Sequence, residues 1–185
     1  MNTRMLGRFL MAAALLAGAV AASTKASANL PQSDSDIARN VRHEVAMYAH
    51  YSLWDDVTFR VAGGNVSLTG EVNQPYKKQD IERLVQKVPG VASVTDDIKV
   101  LPLSSMDDRL RLQVASATYR DPVLSGYAMG AVPAIHIIVE NGHVTLTGMV
   151  NSNMEKQIAG MRAASSLSFG PVTNNLVVEH PAKKS

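Results

Sequence analysis

Apolar residues recur at Ile37, Val41, Val45 and Tyr48, a spacing of three to four that lines one face of a helix. Ser33-Asp-Ser-Asp36 ahead of them supplies an N-cap signature. The period then shortens to two. Val57, Phe59 and Val61 alternate with other residues, as do Val66, Leu68, Gly70 and Val72, which predicts two strands with one buried face. Gly63-Gly64 between them provides the positive-φ backbone of a two-residue hairpin. Ile81, Leu84, Val85 and Val88 return to helical spacing, Pro89-Gly90 stops that helix, and Ile98 and Val100 close the sheet. The predicted order is α-β-β-α-β.

The same order comes round again. Residues 61–100 align with 139–178 without a gap, with 13 identities in 40 positions concentrated at apolar and glycine sites. Val61-Ala-Gly-Gly-Asn-Val-Ser-Leu-Thr-Gly70 pairs with Val139-Glu-Asn-Gly-His-Val-Thr-Leu-Thr-Gly148, so Asn141-Gly142 takes the place of the first hairpin. Here the offset is 78. The first helices match best at an offset of 73, with Ile37 over Leu110 and Val41 over Val114, so repeat 2 carries about five extra residues between helix and strand. The expected fold is α+β: two tandem units over residues 34–101 and 105–180, each with two helices on one face of a three-stranded mixed sheet. About 70 residues per unit is enough for one two-layer core. A short link, Leu101-Pro-Leu-Ser-Ser105, joins them, and residues 181–185 form a short basic tail.

These residues resemble a known family. Gly64-Asn-Val-Ser-Leu-Thr-Gly70, the amphipathic helix, Val88-Pro-Gly-Val91 and Val94-Thr-Asp-Asp-Ile98 are similar to a BON domain, and repeat 2 is closer still through Val172-Thr-Asn-Asn-Leu176. The pair resembles the osmotically inducible periplasmic proteins of the OsmY type. By that resemblance Gly64, Gly70, Gly90, Gly142 and Gly148 are the family's structural glycines. Leu167-Ser-Phe169 departs from the Pro-Gly-Val pattern at the exit of the last helix. The resemblance implies a non-catalytic module linked to phospholipid surfaces, envelope maintenance and osmotic stress.

The amino terminus reads as an export signal over residues 1–28. Arg4 and Arg8 precede an uncharged run from Phe9 to Ala22, and Ala26-Ser-Ala28 is a small-x-small cleavage pattern. A helix of that run spans about 21 Å against the roughly 30 Å of a hydrocarbon core, which disfavours an uncleaved anchor. With no cysteine there is neither a lipidation site nor a disulfide. The expected location is the periplasm, or the outside of a cell without an outer membrane. The leader also corrects the charge. The formal net charge of +2 includes Arg4, Arg8 and Lys25; without them, 15 basic residues face 16 acidic ones, a net of −1. No electrostatic footprint for nucleic acid remains.

Catalytic chemistry is hard to find in this inventory. There is no cysteine nucleophile and no G-x-S-x-G elbow. His136 and His143 flank a hairpin turn, but no third ligand sits at a convincing spacing, and solvent-facing sheet positions account for them. His43 and His50 read as solvated helix residues. Asp55-Asp56, Asp96-Asp97 and Asp107-Asp108 lack the alternating register of a calcium loop. Asp107 and Asp108 suit a helix N-terminus, and Asp96-Asp97 becomes Asn174-Asn175 in repeat 2. The expectation is no enzyme, no metal and no cofactor.

One asymmetry points to a surface. On a wheel of 100° per residue, Met106, Leu110, Val114 and Ala117 form the expected core stripe of the repeat-2 helix. Leu112, Ala115 and Tyr119 form a second apolar stripe on the opposite side, flanked by Arg109, Arg111 and Arg120. Three occupants compete for that stripe: a bilayer, repeat 1, or a second copy in a homodimer. Three arginines near an anionic surface contribute about 3 kcal/mol before nearby carboxylates subtract. The insertion Gly126-Tyr-Ala-Met-Gly-Ala-Val-Pro133 offers Tyr127, Met129 and Val132 to a partner, unless it folds back over its own sheet edge. The functional expectation is an envelope binding module for phospholipid or a membrane-associated protein. The alternative is a chaperone-like or structural protein that binds other envelope proteins.

Overall fold

The computed structural model describes residues 32–130, 132–166 and 170–179, so the expected export signal over residues 1–28, residues 167–169 and the basic tail lie outside the described residues. Ser33 caps α1 (Asp34–Met47), its hydroxyl accepting the Asp36 N–H, and Ile37, Val41 and Val45 are the buried stripe. β1 (Asp56–Ala62) turns through Gly63-Gly64 into β2 (Asn65–Val72), to which it pairs antiparallel with Val61 opposite Val66. α2 (Pro75–Gln86) begins on a proline, which has no N–H to leave unsatisfied in a first turn. The chain then returns parallel to β2.

The last strand differs from the expected single piece. It splits into β3 (Ser93–Asp96) and β4 (Lys99–Val100), both paired with β2. Between them Ile98 leaves the ladder and turns into the core, 1% exposed, while the Asp96 carboxylate takes its N–H at 3.0 Å. Repeat 2 makes the same break, with Asn174 Oδ1 accepting from Leu176 N–H at 3.3 Å. Aspartate and asparagine both present an acceptor oxygen to that N–H, and Asp96 in addition pairs with Lys78 at 3.9 Å.

Repeat 2 comprises α3 (Ser105–Tyr119), a 3-10 turn at Ser125–Ala128, β5 (Ile135–Glu140), β6 (His143–Val150), α4 (Asn153–Ser165), β7 (Val172–Asn174) and β8 (Val177–Val178). Its sheet is β5-β6-β7 with β8 also on β6, the mixed arrangement of repeat 1. Gly63, Gly64, Asn141 and Gly142 all have positive φ, as a tight hairpin requires. A carboxylate clamps each turn. Asp34 accepts the Gly63 and Gly64 N–H groups at 2.7 and 2.9 Å, and Asp107 accepts those of Asn141 and Gly142 at 3.0 and 2.9 Å. Asp34 and Asp107 are 73 apart while the turns are 78 apart, so the extra residues of repeat 2 loop out between helix and strand. The two turn amides hold the Asp34 carboxyl below its ordinary range.

Each repeat has its own core, around Val41, Leu68 and Ile81 in the first and Val114, Ile137 and Leu146 in the second. The second core recruits Leu53 and Trp54 from the first repeat. Their loop is set by a buried ion pair: Lys77 Nζ lies 2.6 Å from Asp55, which also accepts from the Ser52 N–H and hydroxyl and the Asn73 N–H.

Candidate functional site

The repeat-2 helix α3 is rotated from the orientation its apolar residues suggest. Met106, expected in the core, is 65% exposed, and Ala117 is half-buried at the margin. The buried positions are Asp107, Arg111, Val114 and Thr118, with Leu110, Ala115 and Tyr119 packed beside them on the core. Polar residues reach the interior because the backbone of β5 meets them there. Arg111 donates to the Val139 carbonyl at 2.7 Å and to Asp108 at 2.5 Å. Tyr119 donates through its hydroxyl to the Ile135 carbonyl, and burial pushes its phenol well above the usual range.

The candidate surface therefore divides. Arg111 is 4% exposed and its guanidinium is spent inside the fold. Tyr119 and Ala115 pack on the second core. Tyr127 does so too, and its hydroxyl accepts the Asn151 N–H at 2.8 Å, so that part of the insertion folds back on its own domain. Arg109, Leu112, Arg120 and Met129 remain outward, Leu112 at 66% and Met129 at 81%; Val132 is half-buried.

On the same wheel, the outward arc of α3 runs Leu112, Ser116, Arg109, Arg120, Gln113, Met106. Two arginines sit between apolar ends, and the exposed Asp108 carboxylate lies just beyond Leu112, paired with Arg111. The matching positions of α1 read Arg39, His43, Asp36, Met47, Asn40 and Ser33, and Asp36 there pairs with Arg39 at 2.8 Å. With Arg111 removed, the electrostatic attraction of this face to an anionic surface falls to about 2 kcal/mol.

The flank of α3 that carries Asp108 and Arg111 meets repeat 1. Trp54, Asn73, Asp108, Arg111 and Leu112 line one cleft of about 210 Å³. The Leu53 carbonyl accepts the Ile137 N–H at 2.7 Å, Lys99 pairs with Glu140 at 2.6 Å, and the Tyr51 ring meets that of His136 edge-on at 5.8 Å. Burial, followed by the charge of Asp56, raises the Glu71 carboxyl. Tyr51 is pushed up to about 12, mainly by burial, and accepts the Val57 N–H at 3.0 Å. Removing Leu53 and Trp54 together, as Leu53→Ala with Trp54→Ala, should cost about 2–4 kcal/mol for two half-buried side chains. Calorimetry should then resolve two unfolding steps in place of one.

His136 and His143 are not neighbours across the hairpin: His136 lies opposite Thr147 and His143 opposite Glu140. Among the described residues no group of three His, Asp or Glu side chains is placed to hold a metal. No helix among them is long and apolar enough to cross a membrane.

Geometry defines the class first: a tandem pair of two-layer α-β-β-α-β modules whose distinguishing features are surfaces. Residues 33–102 and 107–180 each match the BON domain, and the chain belongs to that family. Its members are in general non-catalytic modules associated with phospholipid membranes and the cell envelope. A search of the curated proteins finds no match. Among solved structures, the chain is similar to CdsD, a structural protein of the type III secretion system of Chlamydia trachomatis. The identity is 14%, with 80% of this chain and 94% of that chain covered at a TM-score of 0.31. The C-terminal domain of CdsD gives 14% identity, 80% and 100% coverage and a TM-score of 0.29. Likeness at that level carries no argument about this chain.

Proposed function

We propose that this chain is a non-catalytic module of the periplasm that docks on anionic phospholipid surfaces through the outward face of α3 and so supports envelope integrity under osmotic stress. The observation that carries the reading is the composition of that face. Arg109 and Arg120 can meet lipid phosphates while Met106 and Leu112 enter the headgroup region, and the bordering Asp108 carboxylate is paired with Arg111. The α1 face, with Asp36 on it, lacks this combination. Family membership supports the lipid class, and the leader of residues 1–28 supports export.

Two arginines and two apolar side chains make a weak, salt-sensitive dock. Arg109→Glu with Arg120→Glu should lose at least the 2 kcal/mol the pair contributes, roughly a thirtyfold drop in partitioning to anionic vesicles. Both side chains are exposed and without ion pairs among the described residues, so the fold should keep its melting temperature. Tyr119 is unsuitable for this test because it anchors the edge of β5. Unchanged vesicle binding in the folded double variant would remove α3 as the membrane face.

A further inference from the structure

The two repeats treat their edge strands differently. In repeat 2, three outward backbone groups of β5 are all engaged: the Ile135 carbonyl by Tyr119, the Ile137 N–H by Leu53 and the Val139 carbonyl by Arg111. The helix positions that supply Arg111 and Tyr119 are Ala38 and Ala46 in repeat 1, too short to span the gap. On β1, Tyr51 takes the Val57 N–H, but no described residue meets the Phe59 N–H, the counterpart of Ile137. What remains between α1 and β1 is a groove of about 650 Å³ walled by Ala38, Val45, Ala46, Tyr51 and Phe59. Arg42 stands over the Phe59 ring at 6.0 Å and has no ion pair among the described residues.

We propose that this groove is a binding site for a turn of another polypeptide, one carrying two consecutive bulky apolar residues followed by a carboxylate. The molecule itself supplies the template. The equivalent edge of repeat 2 receives such a turn, Ser52–Asp55, closed by the Asp55 N–H on the Ser52 carbonyl at 3.1 Å, through one main-chain hydrogen bond from Ile137 to Leu53 and the apolar side chains of Leu53 and Trp54. An unpaired edge N–H beside an apolar wall takes one carbonyl of such a turn while the groove takes its side chains, so the backbone bond adds affinity and the pocket gives choice. Asp34 and Arg42 both border the groove, and Arg42, which stands where repeat 2 has Ala115, is the cation that a carboxylate after the apolar pair would meet. The site is separate from the outward face of α3 and does not rest on the lipid reading.

The test is amide NMR of the isotope-labelled full chain, titrated with a capped peptide of residues 51–56 and with a scrambled control. The site predicts saturable shifts at the amides of Phe59, Ala38 and Ala46, with the Ile137 amide unmoved because its groove is filled. Ala38→Trp should weaken binding about tenfold or more by filling the groove. Arg42→Glu, on an exposed position, should weaken it by repelling the acidic flank even where Ala38→Trp impairs folding. Absence of shifts at Phe59, or equal shifts from the scrambled peptide, would overturn the proposal. So would a peptide-reversible self-association of the chain, because a second copy would then be the occupant.

Discussion

Asp55→Ala is expected to cost about 3–5 kcal/mol of stability, because it strands a buried lysine. Asp55 is fully buried and Lys77 nearly so, at 2.6 Å, and the carboxylate also satisfies Ser52 and the Asn73 N–H. Chemical denaturation followed by circular dichroism reads the loss directly. The paired replacement Asp55→Leu with Lys77→Met should recover only the part due to the stranded charge, since the Ser52 and Asn73 N–H groups still lose their acceptor. A loss of under about 1 kcal/mol in Asp55→Ala would mean that water reaches the pair. The effect should extend beyond repeat 1, because the Ser52–Asp55 turn is what presents Leu53 and Trp54 to repeat 2.

The second large effect is expected at Gly148. A Cβ there would lie 2.1 Å from the carbonyl oxygen of Ala134, on a backbone with φ of 104°. Neither atom can move cheaply. The oxygen belongs to the residue leading into β5, and its carbonyl already takes the Met149 N–H. Gly148→Ala must therefore pull β5 from β6 next to the Ile137–Leu146 pair at the centre of the second core. Its expected cost exceeds about 4 kcal/mol, enough to deny repeat 2 a stable fold. Gly70 is the same position in repeat 1, with the Asp56 oxygen at 2.0 Å, and should behave alike. Gly126→Ala is the control: nothing lies within 4 Å of its Cβ, and stability should stay within about 0.5 kcal/mol.

Most of the architecture is written in short-range pattern. The two periods, the hairpin glycines and the duplicated segment yield the element order, and the two offsets locate the insertion. The break of the last strand at Ile98 was not legible, because an apolar residue two before Val100 looks like continued alternation.

The orientation of α3 was misleading for a different reason. A helical wheel ranks residues by apolarity, whereas this helix buries an aspartate, an arginine and a threonine. Asp107 and Arg111 are held there by backbone groups more than 25 residues away in sequence. The signal lay in the offset of 73, which sets Asp107 over Asp34 and Arg111 over the half-buried Ala38. Comparing the repeats position by position, rather than reading each wheel alone, would have taken Arg111 out of the surface. Tyr127 was hidden similarly, since its partner is the Asn151 amide at the far end of β6. Lys77 carried no mark at all, because a lysine at the start of an amphipathic helix ordinarily faces water.

In the proposed docking mode α3 presents a weakly basic, partly apolar face to anionic lipid. Co-sedimentation of the full chain with vesicles of anionic and of zwitterionic phospholipid, at low and at high salt, tests it most directly. Docking through α3 gives binding to the anionic vesicles alone, falling as salt screens two arginines. Binding to neither, or equal and salt-independent binding to both, would contradict it.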